Sequence, residues 1–529
     1  MINIYVKSLF SYFFLLLLQF SFQLLDSLFI VHCSLFIISP VLNKDFIHIA
    51  KRLLRDEYDA FEAALNGEPP VSIRVNPRKF DGVNSRQQEQ IPWCKMGYYL
   101  PCRPSFTFDP LFHAGAYYVQ EASSMFLEQA VLTILARSGH AQSLENTFEQ
   151  AWNPVTALDL CAAPGGKSTH LSSILPDGSL LVSNETVRNR SLVLAENTAK
   201  WGFADTVITR NDPGAFSRTP RLFDFILADL PCSGEGMFRK DPAVRNEWSL
   251  DRVRLCAARQ RRIIHDVWQA LKPGGYLIYS TCTFNTEENE DNVKSLSGEL
   301  GADTVSIPVK PEWNIAGSLS HNMPAYRFFP HRTRGEGFFL ALMQKHGDPA
   351  VPDRRGCVKP DNRGCVRDPQ IRQLLSTPEK FVFTDAGAVT AIRKVHENVV
   401  ATLSRQLNTI AAGLLLGERK GVDFTPSAAL SLSVETDVSA FPCIDLSYEQ
   451  AIAYLQRETP VVPANTPKGY LLVTYRKIPL GFAKNIGNRI NNLYPVEWRI
   501  KSRKNPPPPT VLLNLQLSNI EHPSCLICN

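Results

Sequence analysis

Three short stretches carry residue types that do chemistry when a fold brings them together. Cys161-Ala-Ala-Pro-Gly-Gly-Lys167 follows an apolar run that stops at Asp159, and a helical pattern begins behind it. Asp229-Leu-Pro-Cys-Ser-Gly-Glu-Gly236 and Ser280-Thr-Cys-Thr283 each place a cysteine, Cys232 and Cys282, just past a strand-like run. A strand that ends in glycines and feeds a helix N-terminus is a ligand-binding turn. The spacing is not GxGxxG, which weighs against a dinucleotide. Glu185 lies roughly twenty residues after the glycines, where an acid accepts both hydroxyls of a ribose. Asn211-Asp212 follows the third strand-like run and is placed to accept from an adenine amino group; Asp229 ends the fourth. A series of acids at strand ends suits a nucleoside that carries positive charge and no phosphates, namely S-adenosylmethionine.

The cysteines narrow the reaction. Amino-group methyltransferases tend to carry Asn or Asp, then Pro-Pro and an aromatic, after the fourth strand; here the run is Asp-Leu-Pro-Cys. That points to methylation of carbon through a thiolate. Carbon 5 of a pyrimidine is a poor nucleophile. A thiolate that adds to carbon 6 makes carbon 5 enamine-like, so it takes the methyl; a base then removes its proton and the thiolate leaves. One buried cysteine is usually a small core residue, whereas two beside strand-end turns of one site would be a coincidence. Spacing alone leaves open which of the two attacks.

These residues need a sheet to position them. Strand-like runs at Thr156–Leu160, Ser179–Asn184, Thr206–Arg210, Phe223–Ala228 and Tyr276–Ser280 alternate with helical patterns at Ser168–Leu175, Arg188–Trp201 and Leu250–Leu271. That order predicts an α/β fold with a parallel, doubly wound, Rossmann-like sheet. Upstream, Asp45–Leu65 reads as one amphipathic helix and Val71–Val75 as a strand ending at Asn76-Pro77. Downstream, PDRRGCVK and PDNRGCVR repeat in tandem from Pro352 to Arg367, a Pro-, Gly- and Arg-rich linker.

At this point the motifs are specific. Cys161–Lys167, Asp229–Gly236 and Ser280–Thr283 resemble the Sun-type family of RNA cytosine-C5 methyltransferases. Ser72-Ile-Arg-Val-Asn76, Tyr118-Val-Gln-Glu-Ala-Ser-Ser124 and Gly335-Glu-Gly-Phe-Phe339 resemble its flanking signatures. Lys468-Gly-Tyr-Leu-Leu-Val and Pro479-Leu-Gly-Phe-Ala-Lys484 resemble the PUA-like module of the bacterial branch that acts on small-subunit rRNA. The resemblance covers about Asp45 to Lys504. It implies that Cys282 adds to carbon 6, that Cys232 helps release the product, and that Asp229 lies near both the methyl donor and the cytosine edge. It implies a cofactor site made of Cys161, Ala162, Ala163, Pro164, Gly165, Gly166, Lys167, Glu185, Asp212 and Asp229. The organisation expected is an apolar leader over 1–42, an N-terminal RNA-binding α+β domain over 43–150, and the methyltransferase domain over 151–346. A linker over 347–370, an intermediate region over 371–445, a PUA-like RNA-binding domain over 446–504 and a tail over 505–529 follow.

The rest of the chain fits this reading with one conflict. The sequence has 529 residues, a formal net charge of +5, 44% hydrophobic and 20% charged residues, an ordinary globular composition that allows a polyanionic partner without demanding one. Twelve cysteines in such a length are no disulfide framework, and Cys525-Leu-Ile-Cys528 is a single CxxC with no second pair. Arg252, Arg254, Arg259, Arg261 and Arg262 crowd one predicted helix, Arg239-Lys240 follow the Cys232 loop, and Arg499, Lys501, Arg503 and Lys504 close the last domain. The expected partner is RNA, as small-subunit rRNA or an assembling small ribosomal subunit, with the target base out of its stack; no metal is expected, and a monomer is. The conflict is Ser8–Leu25, long and apolar enough for a membrane span. Family members are soluble, so the working protein is expected to begin near Val41 or Leu42 and to be cytoplasmic, with a membrane anchor as the alternative. A chain starting near Leu42 is expected to be soluble and fully active in a methyl-transfer assay; loss of activity would make residues 1–41 a working part. Two other readings stay open: a DNA cytosine-C5 methyltransferase that attacks with the Pro-Cys cysteine, and a non-catalytic, membrane-attached RNA-binding protein.

Overall fold

The computed structural model describes residues 42–79, 89–138, 152–347 and 366–502, the last without 367, 422, 462 and 464. The apolar leader, most of the tandem repeat, Arg503, Lys504 and the tail with its CxxC lie outside the described residues. Among the described residues no helix is long and apolar enough to cross a membrane.

Two helices, α1 (Lys44–Leu54) and α2 (Tyr58–Leu65), occupy the span read as one. Asn43 caps α1 by accepting from the Asp45 amide at 2.8 Å. The chain then turns at Arg55, φ 50°. Just past the turn, Glu57 is held by His331 at 2.8 Å and by Arg332. No periodicity within 45–65 encodes that long-range anchor. The strands β1 (Val71–Val75), β2 (Gly97–Leu100) and β3 (Tyr117–Val119) form an antiparallel sheet in the order β2-β1-β3, and α3 (Leu127–Ser138) leads to the central domain.

There, β4 (Thr156–Asp159), β5 (Leu180–Asn184), β6 (Thr206–Thr209), β7 (Phe223–Asp229) and β8 (Leu271–Thr281) pair in parallel in the order β6-β5-β4-β7-β8. The connecting helices include α4 (Gly166–Ile174), α5 (Arg188–Trp201) and α6 (Leu250–Val267). Because helices cover both faces, alternate strand residues are apolar on both sides. Leu158, Val182, Ile226 and Leu277 pack on Ile263, Ile264 and Val267 of α6. Ala157, Leu181, Phe225 and Ile278 pack on Ala130, Val131 and Ile134 of α3. The order reverses between β4 and β7, so the crevice at the carboxyl ends of these strands is where a ligand binds.

The sheet is parallel at its centre and antiparallel at its edges. After β8 come α7 (Glu290–Leu300), β9 (Ala302–Val305), β10 (Tyr326–Phe328) and β11 (Phe338–Lys345). β11 lies antiparallel beside β8 and carries both β9 and β10 on its other side. At the opposite edge β14 (Thr409–Ala412) pairs antiparallel with β6. That strand comes from the region between the central and last domains, which also builds a four-stranded sheet from β12 (Phe381–Asp385), β13 (Ala388–Arg393), β15 (Leu414–Lys420) and β16 (Asp423–Pro426).

The last domain pairs β17 (Cys443–Asp445), β18 (Gly469–Tyr475), β19 (Ile478–Asn485) and β20 (Ile490–Asn492), with α8 (Tyr448–Leu455) started by a Ser447–Gln450 capping box. Its core is shared with the N-terminal sheet, Ile73, Val75 and Tyr98 clustering with Ile452, Leu455, Leu480 and Tyr494.

Candidate active site

The candidate cofactor turn, Cys161–Lys167, is built by backbone necessity. Gly165 caps α4 at φ 113°, and a Cβ there would stand 3.3 Å from Leu194 Cδ1, so only glycine fits without strain. The turn is fixed from outside: Arg190 donates to the Ala163 carbonyl at 2.8 Å and Asn197 to that of Pro164 at 2.8 Å. Arg74 of β1 reaches the Gly166 carbonyl at 3.2 Å. Asn184, at the end of β5, ties three strand ends together. Its amide donates to the carbonyls of Leu160 (3.2 Å) and Asn211 (2.9 Å), and its oxygen accepts from Thr209 Oγ1 and the Asn211 amide, both at 2.9 Å.

Below the turn, Asp159 is fully buried. Ser168 donates to its Oδ2 at 2.6 Å, and its Oδ1 has no partner. Burial pushes its carboxyl up to about 7. A buried oxygen with an unused lone pair, beside a glycine turn shaped to admit backbone-close contact, fits a ligand that brings a hydrogen-bond donor. Glu185 and Asp212 stand at the ends of the next two strands, and each also serves its local turn. Glu185 accepts from the Val187 amide at 2.9 Å and faces Arg190 at 3.3 Å. Asp212 is exposed and accepts from the Gly214 amide at 3.1 Å. An acid-rich set of strand ends fits S-adenosylmethionine.

The reactive edge follows from one register. Asp229 pairs with Ser280 where β7 and β8 run side by side, so the residues just beyond these strands meet. Cys232 Sγ lies 3.0 Å from Cys282 Sγ, and both are free thiols. The hydrogen bond to Cys282, and then burial, push the Cys232 thiol well above its ordinary range. Asp229 accepts from Ser280 Oγ at 2.8 Å and pairs with Lys167 Nζ at 2.8 Å. Burial works against the Lys167 charge, but the Asp229 carboxylate outweighs it and raises the ammonium above its usual range. Cys232, Cys282, Asp229 and Lys167 are thus one contiguous group.

Two carboxylates hold the cysteine loops in place. Glu235 accepts from the amides of Phe284 (2.7 Å) and Asn285 (2.9 Å), from Trp248 Nε1 (2.9 Å) and from the Asn285 side chain (3.0 Å). Glu288 accepts from the Ser233 amide (3.0 Å), Gln260 (2.8 Å) and Asn285 (2.8 Å). Apart from the Glu288–Asn285 bond within the Cys282 loop, these bonds tie separate segments together, and full hydrogen bonding is why such buried acids are tolerated. Gly236 closes the contact: its amide donates to the Cys282 carbonyl at 2.8 Å, and a Cβ there would sit 2.5 Å from the Gly337 carbonyl. Over these loops lie α1 and α2, Phe46 and Phe61 clustering with Phe238, Trp248 and Phe284.

Sequence reasoning missed Asp159, Asn184, Glu235 and Glu288 as site residues. Glu235 and Glu288 carried a signal, being acids inside or next to the cysteine motifs. The basic clusters separate on inspection. Arg239 is buried, paired to Glu336 at 3.0 Å and bonded to the Ala64 and Gly335 carbonyls, so it docks α2 rather than facing a polyanion. Arg261 donates to Asn292 at 2.7 Å. Arg254, Arg259, Arg262, Arg499 and Lys501 are exposed.

Comparison with known proteins decides the family. Residues 149–344 match the family described as 16S rRNA methyltransferase RsmB/F. Residues 42–122 match the N-terminal domain of 16S rRNA methyltransferase RsmF, and residues 441–500 the methyltransferase RsmF PUA domain. Ribosomal RNA small subunit methyltransferase F of Serratia proteamaculans is 31% identical over 464 residues, covering 83% of this chain and 92% of that protein. The chain belongs to the RsmB/F family. Its Escherichia coli O139:H28 relative of the same description is 30% identical over 464 residues, with 83% and 92% covered. Members of the RsmB/F family are S-adenosylmethionine-dependent RNA cytosine-C5 methyltransferases, and this chain is such an enzyme. Among solved structures it is similar to NSun6 from Pyrococcus horikoshii with SFG, at 19% identity and TM-score 0.47, with 58% of this chain and 100% of that chain covered. It is likewise similar to a methyltransferase homolog protein from Pyrococcus horikoshii, at 24% identity and TM-score 0.47, with 57% and 95% covered.

Proposed function

We propose that this RsmB/F enzyme methylates a cytosine of small-subunit rRNA at carbon 5, with Cys282 as the attacking thiolate and Cys232 acting in release. The observation that carries the two-cysteine reading is the 3.0 Å contact between the sulfurs; the division of roles between them rests on the family resemblance of the two motifs. The two thiols share one hydrogen bond, in which either sulfur can be the donor.

Cys282 Sγ forms a bond to carbon 6 of the flipped cytosine, and the pyrimidine π electrons move to make carbon 5 nucleophilic. Bound S-adenosylmethionine supplies an electrophilic methyl group. Asp229, paired with Lys167 at 2.8 Å, offers an acceptor towards the cytosine edge. After transfer, carbon 5 carries both a proton and the methyl. A base, for which solvent water suffices, takes that proton; the C–H electron pair returns to the ring, the S–C6 bond breaks, and the thiolate departs. Cys232, in contact with the leaving sulfur, is placed to assist this last step. No step calls for a metal. Arg254, Arg259 and Arg262 on the exposed side of α6 support a polyanionic substrate, whose binding would weaken with salt.

The test is methyl transfer to small-subunit rRNA and to DNA of the same sequence, side by side. Label on carbon 5 of cytosine in the RNA alone is the expected result; label in DNA alone would overturn the reading.

The cofactor assignment has its own test. Asp212→Ala and Glu185→Ala are each expected to weaken S-adenosylmethionine binding by ~1–3 kcal/mol, the cost of one lost hydrogen bond to ribose or adenine. Calorimetry on folded variants measures it, and unchanged affinity in both would remove these residues from the cofactor site.

A further inference from the structure

A second cluster of reactive side chains sits away from the methyl-transfer chemistry. Cys94, in the loop between β1 and β2, Glu128 on α3 and His170 on α4 meet at the seam between the N-terminal and catalytic domains. Each is nearly fully buried, with relative exposures of 2%, 2% and 1%. One donor atom from each lies within 4.8 Å of the others. Cys94 Sγ is 3.7 Å from His170 Nε2, and His170 Nε2 is 3.0 Å from Glu128 Oε2.

We propose that Cys94, Glu128 and His170 form a zinc site that fastens the N-terminal domain to the helix carrying the cofactor turn. Thiolate, imidazole and carboxylate together are a borderline-soft donor set that suits Zn2+ better than Mg2+ or Ca2+. With Zn–S about 2.3 Å and Zn–N or Zn–O about 2.0–2.1 Å, a tetrahedral ion needs about 3.5 Å between S and N and about 3.3 Å between N and O. The observed 3.7 and 3.0 Å lie within a few tenths of an ångström of those edges, so a small side-chain adjustment seats the ion. A cavity of about 150 Å³ borders the cluster, lined in part by Lys95, Met96 and Ser173; it has room for a water as the fourth ligand. His170 Nδ1 is buried with no partner; with Nε2 on the ion, the ring proton is carried by Nδ1.

The charge balance is acceptable. Binding breaks the Cys94 S–H bond, forms an S–Zn bond and releases one proton to solvent; imidazole and carboxylate add lone pairs. The dication then faces one thiolate and one carboxylate, so the site is neutral. Arg74, which lines the same cavity, is committed to Gln120, Thr169 and the Gly166 carbonyl. The competing arrangement is a metal-free hydrogen-bonded trio, with Glu128 accepting from His170 and from the Lys95 amide at 3.0 Å. The two differ in what they bind. The sequence carries no spaced ligand motif here, because the three residues come from positions 94, 128 and 170 on separate elements.

The test uses the full chain purified without chelator. Elemental mass spectrometry is expected to find about one zinc per chain, falling to near zero in Cys94→Ser and His170→Ala while Cys232→Ala retains it. Cobalt added to chelator-treated wild type is expected to give a thiolate-to-cobalt charge-transfer band, absent in Cys94→Ser; this spectrum does not depend on a variant folding well. Absence of zinc from the wild type together with absence of that band would overturn the proposal, and so would zinc retained in full by folded Cys94→Ser and His170→Ala.

Discussion

Cys232→Ala is expected to trap the enzyme on its RNA, and Cys282→Ala to leave it without reaction. If Cys282 adds to carbon 6, its loss removes the only means of activating carbon 5, so methylation falls to background. Even a thousandfold loss corresponds to about 4 kcal/mol of barrier. If Cys232 acts in release, its loss still permits addition and methyl transfer, and the S–C6 bond then persists. The readout is an RNA–protein band that survives denaturing electrophoresis in Cys232→Ala and vanishes in the double variant. The sulfurs are 3.0 Å apart, so position alone does not separate the roles; the order of the steps does. An adduct trapped by Cys282→Ala and abolished by Cys232→Ala would exchange the roles.

Glu290→Ala should produce the largest loss of stability. Glu290 follows the Cys282 loop at the start of α7 and is paired with Arg327 of β10, with side-chain exposures of 0% and 2%. The pair is two-pronged, with Nε to Oε1 at 2.6 Å and Nη2 to Oε2 alongside. Arg327 also donates to the Phe284 carbonyl at 2.7 Å, two residues past Cys282. Removing the carboxylate leaves a buried, uncompensated guanidinium and an orphaned Leu319 amide. Breaking such a pair costs ~3–5 kcal/mol. Chemical denaturation should show that loss, and activity should fall with it because the Cys282 loop loses a brace. A change below about 1 kcal/mol would mean that water reaches Arg327 and that the pair is not a dry one.

The central sheet and its reactive edge were legible because their signals are local. Apolar runs ending in Asp159, Glu185, Asn211-Asp212 and Asp229 gave both the strands and the strand-end acids, and parallel neighbours carry Cys232 and Cys282 to one place. What escaped depends on contacts between distant segments. Thr409–Ala412 is four residues long and becomes a strand by pairing with β6, two hundred residues earlier. β11 is not among the strand-like runs read from the sequence, and nothing in Phe338–Lys345 states that it runs antiparallel beside β8. Asn184 looks like any polar strand end until its four hydrogen bonds are seen. The shared core of the N-terminal and last domains, Ile73 to Tyr494, is likewise written in no single stretch.

The most direct measurement of the central claim is bisulfite sequencing of small-subunit rRNA from cells that lack the gene and carry back either the wild-type chain or Cys282→Ala. The account predicts a cytosine that resists conversion with the wild-type chain, converts when the gene is absent, and still converts with Cys282→Ala. An rRNA pattern identical in all three cells, or protection restored by Cys282→Ala, would contradict it.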